Sequence, residues 1–165
     1  MKFTVLSRTK AKKFSFSDIK EKTIIISITD TDSNNNVFNR QQNLLDVCRV
    51  KFDDVEKGEE NCITENDARK ILNFVERYKN KVSHIVVHCE AGVSRSAGVC
   101  AALMYILNGS DMEIFNNPKF CPNMTCYRTV LNEYFKEIDE KEIKEKEEHN
   151  VEVWKKENGL DDEER

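Results

Sequence analysis

Val82-Ser83-His84-Ile85-Val86-Val87-His88 runs without a break into Cys89-Glu90-Ala91-Gly92-Val93-Ser94-Arg95-Ser96. The first half is β-branched and apolar, the mark of a buried strand. Beyond Arg95, Ala97, Cys100, Ala101 and Met104 share one helical face, and Val99, Leu103 and Ile106 share another. Gly109 closes the run, so the spacing predicts a helix that is apolar nearly all round and therefore central. A buried strand is thus joined to a buried helix by one short loop.

Outward from this unit, Thr23-Ile24-Ile25-Ile26-Ser27-Ile28-Thr29 reads as a second buried strand, closed by Asp30 and the turn cluster Asn34-Asn35-Asn36. Further strands are expected at Phe3 to Ser7 and at Leu44 to Phe52. Thr64 with Asp67 has the form of a capping pair, and Ala68, Ile71, Leu72 and Val75 then follow helical spacing, which predicts a helix over 66–79. A last body helix is expected from Thr125 to about Glu137, after Cys121-Pro122-Asn123. Strands alternating with helices argue for an α/β fold: a central, largely parallel sheet of four to five strands flanked by helices.

A tight loop between strand and helix turns backbone N–H groups toward its own centre, and the helix dipole adds positive potential there. The Arg95 guanidinium offers a bidentate fork matched to a tetrahedral anion such as phosphate. The same field favours Cys89 as a thiolate nucleophile. Gly92 permits the bend, and Ser96 can donate its hydroxyl to the sulfur when thiolate is the leaving group. His88 is expected to brace the loop rather than act as a base. Val50-Lys51-Phe52-Asp53-Asp54-Val55 ends a strand and enters a loop that carries two adjacent carboxyls.

Cys89-x5-Arg95, within His-Cys-x-x-Gly-x-x-Arg-Ser, resembles the signature loop of the cysteine-dependent protein tyrosine phosphatase superfamily. The resemblance implies a phosphotyrosine protein phosphatase-like fold, a cysteinyl-phosphate intermediate, no cofactor and no metal. Its catalytic residues here are Cys89, Arg95, Ser96 and Asp54, with Glu90, Ala91, Gly92, Val93, Ser94 and Arg95 holding the phosphate. Asp54 lies 35 residues before Cys89, close to the offset of the small dual-specificity branch, and Asp53 is the alternative acid. The branch that carries its acid in Trp-Pro-Asp is excluded, because Trp154 is the only tryptophan and Gln41 and Gln42, the only glutamines, precede Cys89. Cys121-Pro122-Asn123 is similar to a segment in which the asparagine supports the phosphate loop, which singles out Asn123 beside His88. With no Lys or Arg among Glu90, Ala91, Val93 and Ser94, a phosphorylated protein is the expected substrate, at phosphotyrosine and also at phosphoserine or phosphothreonine. The alternative is an adaptor that uses the loop as a phosphate cradle.

Composition bounds these readings. The chain of 165 residues carries a formal charge of −4, which disfavours nucleic acid as a partner. No apolar run approaches the roughly 20 residues that would cross a bilayer, so a cytoplasmic chain without a membrane partner, and a monomer, is expected. The six cysteines are expected to be reduced, with Cys48 a candidate to form a disulfide with an oxidised Cys89. Residues 1–136 form the expected catalytic domain, and 137–165 a charged helical tail. From Lys136 to Arg165 there are 13 acidic against 7 basic residues, a net −6. A solvated, fraying helix is expected there, or one that docks on a partner or on the body through Val151, Val153, Trp154 and Leu160.

Overall fold

The computed structural model describes residues 1–160; the last five residues of the expected tail lie outside the described part. Strands β1 (Lys2–Leu6), β2 (Thr23–Thr29), β3 (Leu44–Lys51) and β4 (His84–His88) form one four-stranded sheet. Its order is β1-β4-β2-β3, and every neighbouring pair is parallel. β2 lies between β4 and β3, and all seven of its residues are buried, as expected of a parallel strand covered on both faces.

Helix α1 (Arg8–Phe16) follows β1, α2 (Glu65–Tyr78) follows β3, and α3 (Arg95–Asn108) follows β4. A short turn, α4 (Met112–Phe115), then leads to α5 (Met124–Phe135) and α6 (Glu140–Glu157). Ile24, Ile26 and Ile28 of β2 join Ile85 and Val87 of β4 in the core cluster shared with α2, α3 and α5. The alternating positions, His84 and His88 among them, face the other side, where Phe14 of α1 stacks edge-on against His84.

Element ends differ from expectation by a residue or two, for local reasons. β4 begins at His84, not Val82, because the amides of Val82 and Ser83 bond to the Tyr78 and Lys22 carbonyls. The helix before it starts at Glu65, directly after its N-cap Thr64, whose side chain and backbone N–H exchange hydrogen bonds with Asp67 in a complete capping box. α3 ends at Gly109, which takes φ +75°. α5 stops at Phe135, where Lys136 turns to φ +65°. α1 is an element the periodicity does not predict: only Ala11 and Ser15 of its nine residues are buried, so the sequence carries no apolar stripe there.

α6 is seated on the body by Ile143 and Asn150, both buried, and by Lys146. Lys146 Nζ donates to Asp111 at 3.0 Å and to the Tyr127 hydroxyl at 3.1 Å, and Asn150 donates to the carbonyls of Phe115 and Phe120. The expected docking stripe is not what seats it: Val151, Trp154 and Leu160 remain exposed. A charged helix with one isoleucine on its inner face holds by polar anchors instead. No described helix is long and apolar enough to cross a membrane.

Candidate active site

All four strands end on one edge of the sheet, so Ser7, Asp30, Asp53 and Cys89, each just past or near a strand terminus, gather there. In parallel α/β sheets this carboxyl edge is where ligands bind. The loop from Cys89 to Ser94 is held from outside by its carbonyls. Glu90 C=O accepts from Arg8 N–H at 3.1 Å, Val93 C=O from Cys121 N–H at 3.1 Å, and Ser94 C=O from Asn123 N–H at 3.0 Å. Among the described residues, no N–H from Glu90 to Ser94 has an acceptor. A loop with its carbonyls occupied outside and its amides unpartnered is a cradle for an anion.

Gly92 is required twice over. Its φ is +71°, and a Cβ there would stand 2.6 Å from Leu6 C and Ser7 N, both backbone atoms. Gly98, one turn into α3, has a similar task, since a Cβ would meet the Asn123 carbonyl oxygen at 2.4 Å. α3 and the Asn123 corner therefore approach as closely as backbones can.

Ser94, the N-cap of α3, makes no capping hydrogen bond; its hydroxyl donates instead to Asp54 Oδ1 at 2.8 Å. The first amides of α3 are thereby left free for a ligand. Cys89 Sγ lies 3.0 Å from Ser96 Oγ and is 2% exposed, at the foot of the loop. Arg95 is buried as well. Its Nη1 donates to the Phe52 carbonyl at 2.8 Å and pairs with Asp30 at 2.6 Å, while its Nε is buried without a partner among the described residues. An orphaned guanidinium N–H beside a ring of free amides fits a phosphoryl oxygen.

His88 is fully buried. Nδ1 bonds to the Cys89 carbonyl at 2.9 Å, which makes it the donor and leaves Nε2 to accept from Ser27 Oγ at 2.6 Å and Asn36 Nδ2 at 3.5 Å. Desolvation, opposed in part by the Cys89 carbonyl bond, pushes its pKa down to about 4, so the ring is a neutral brace at physiological pH.

The two candidate acids are separated by their partners. Asp53 is committed away from the loop: Oδ1 accepts from Thr31 N–H and Oγ1, and Oδ2 from Asn61 Nδ2. Those bonds, the Thr31 N–H foremost, hold its carboxyl below the usual range. Asp54 is exposed and stands against the loop, with Oδ1 taking Ser94 Oγ and, at 2.9 Å, Asn123 Nδ2. Asn123 also donates to the Val55 carbonyl and caps α5 through Cys126 N–H. Its side chain thus ties the Asp54 loop to α5.

Glu90, Ala91 and Val93 turn their side chains to solvent, so their contribution to anion binding is through the backbone. Cys48 does not reach the site. It pairs with Ile26, which pairs with Val87, so two strand spacings of about 4.8 Å separate it from β4, beyond the roughly 7 Å that a disulfide spans. Burial pushes its thiol up to about 11. No group of His, Cys, Asp and Glu among the described residues is arranged to hold a metal ion. Sequence reasoning missed Asp30, Ser27 and Asn36. Asp30 was visible only as the polar residue closing a strand, and Asn36 only as part of a turn cluster.

The family model described as "Dual specificity phosphatase, catalytic domain" matches residues 5–137. The chain belongs to this family. The fold agrees. Human DUSP28 superposes with a TM-score of 0.57 at 15% identity, covering 81% of this chain and 92% of its own. A mouse protein described as a dual-specificity phosphatase, complexed with zinc tungstate, gives 0.56 at 16% identity, covering 81% and 82%. The human tyrosine phosphatase-like serine/threonine/tyrosine-interacting protein gives 0.50 at 22% identity, covering 69% and 76%. No curated protein matches the chain.

Proposed function

We propose that the chain hydrolyses phosphotyrosine, and also phosphoserine and phosphothreonine, in proteins through a cysteinyl-phosphate intermediate. The observation that carries this reading is the buried Cys89 thiol, in contact with Ser96, beneath a ring of unpartnered amides and the orphaned Nε of Arg95. The amides and Arg95 take the phosphoryl oxygens. As a thiolate, Cys89 attacks phosphorus; the S–P bond forms as the ester P–O bond breaks, and Asp54 gives its proton to the departing oxygen. Water then attacks phosphorus, Asp54 takes a proton from it, and the S–P electron pair returns to sulfur, where the Ser96 hydroxyl stabilises it. Asp54 Oδ2 has no protein partner among the described residues and is the oxygen available for both transfers.

The absence of Lys and Arg from the loop between Cys89 and Arg95 supports a single phosphate on a protein over a polyphosphorylated ligand. Six free cysteines, one of them this nucleophile, favour a reducing setting such as the cytoplasm.

The test is metal-free hydrolysis of para-nitrophenyl phosphate by the reduced protein, compared with Cys89→Ser and Asp54→Asn. Cys89→Ser should abolish turnover. Asp54→Asn should lower kcat on a phosphotyrosine peptide by about 10²-fold or more, and less on para-nitrophenyl phosphate, whose leaving group needs less protonation. No turnover by the reduced wild type would transfer the site to phosphate binding without catalysis.

A further inference from the structure

The Arg95 guanidinium is fastened at one nitrogen only. Nη1 donates to the Phe52 carbonyl at 2.8 Å and forms an ion pair with Asp30 Oδ1 at 2.6 Å, whereas neither Nε nor Nη2 has an acceptor among the described residues. Nε and Nη2 are the two donors of the side-on edge, the one whose parallel N–H bonds match two oxygens of a tetrahedral anion. Restraining Nη1 from two sides fixes the plane and rotation of the group while leaving that edge clear.

Both restraints come from strand tips that are themselves strapped together. Phe52 N–H donates to the Thr29 carbonyl at 3.1 Å, and Thr31 donates through N–H and Oγ1 to Asp53 Oδ1. Asp30 lies between these two straps, so its carboxylate cannot drift from the guanidinium without breaking one. Arg95 itself is 5% exposed, and a guanidinium taken so far from water needs a compensating charge when the loop is empty. Among the described residues, Asp30 is its only carboxylate partner.

We propose that Asp30 is a positioning residue, which holds Arg95 in the side-on presentation that binds the phosphoryl group. Asp30 touches no reacting atom and acts through Arg95. The proposal rests on the phosphatase reading for turnover, but its binding consequence stands without it.

The experiment compares wild type with Asp30→Ala, Asp30→Asn and Asp30→Glu, reading kcat and KM on para-nitrophenyl phosphate and the affinity for inorganic tungstate by calorimetry. Thermal melts identify which variants are folded. Asp30→Ala should weaken tungstate about tenfold and lower kcat/KM by roughly 30- to 100-fold, the scale of a small misplacement of a binding group. Asp30→Asn, which keeps an oxygen beside Nη1 but removes the compensating charge, should recover only a minor part of both. Asp30→Glu keeps the charge but shifts it by a methylene, and should fall between Asp30→Ala and wild type. A folded Asp30→Ala, or Asp30→Asn where the alanine variant does not fold, that equals wild type in tungstate affinity and kcat/KM overturns the proposal. If wild type binds tungstate but hydrolyses nothing, the phosphatase reading fails while the Asp30 series still decides the positioning role on affinity alone. If wild type binds no tungstate, both fail.

Discussion

Asn123 Nδ2 donates to Asp54 Oδ1 at 2.9 Å although the two residues are 69 positions apart, and the same side chain caps α5 through its Oδ1 at 3.0 Å from Cys126 N–H. One amide therefore serves a helix with one atom and the acid loop with the other. The two tasks separate in Asn123→Asp. Aspartate caps a helix as well as asparagine does, so α5 keeps its cap and any fall in melting temperature comes from the lost bonds to Asp54 and the Val55 carbonyl. It offers Asp54 an acceptor of like charge, however, so kcat should fall about tenfold. Asn123→Ala loses both, with about 1 kcal/mol of stability as well. Urea unfolding and steady-state kinetics read the pair; an Asn123→Asp variant with normal kcat would show that the tether is idle.

Gly92 and Gly58 both have positive φ, but only Gly92 has backbone within reach of a Cβ. Gly92→Ala should cost about 3 kcal/mol, the sum of left-handed strain and a clash that backbone atoms cannot relieve, and should also remove tungstate binding. Gly58→Ala bears the strain alone and should cost about 1 kcal/mol with binding intact. Equal losses in the two variants would contradict the role of Leu6 and Ser7 as the wall behind the loop.

The His88 pKa is about 4 in the fold, against 6.5 for an unperturbed histidine, so between these values the unfolded chain binds a proton that the native chain refuses. Stability linked to this residue is therefore complete above about pH 6.5 and is lost as pH falls toward 4, by about 3 kcal/mol in all. His88→Gln should flatten that limb of a stability-against-pH curve from urea titrations. An acid limb of unchanged slope in the variant would assign the loss to carboxylates instead.

Lys146 bridges α6 to Asp111, which is 1% exposed, and lies 4.4 Å from the centre of the Tyr105 ring. Lys146→Met leaves a buried carboxylate whose remaining side-chain partner is the Tyr127 hydroxyl. A loss of about 3 kcal/mol is expected, along with faster proteolysis between α5 and α6. Adding Asp111→Asn should restore part of the stability, because the uncompensated charge is then gone. If Lys146→Met were as stable and protease-resistant as wild type, α6 would not depend on this anchor.

Patterns local in sequence account for what was legible beforehand. The period of Val82–His88, the apolar belt of α3 and the Thr64–Asp67 cap each depend on neighbours within a turn or two, so the strand, the central helix and the loop between them followed directly. The Cys89–Ser96 contact followed for the same reason, since Ser96 stands on the first turn of the helix that the loop enters, only seven residues on. Helix α1 did not, because its few buried positions are small or polar and leave no stripe.

By itself the sequence determined the β-loop-α unit, the placing of Cys89 and Arg95 at the two ends of its loop, and two adjacent aspartates as the candidate acids. Which aspartate faces the loop was decided by tertiary structure, through Ser94 and Asn123 on one and Thr31 and Asn61 on the other. So was the place of Asp30, and so was the remoteness of Cys48. The physical reason is common to all three. Hydrogen bonds and ion pairs between strand tips depend on sheet order and register, and no local periodicity encodes that β2 lies between β4 and β3.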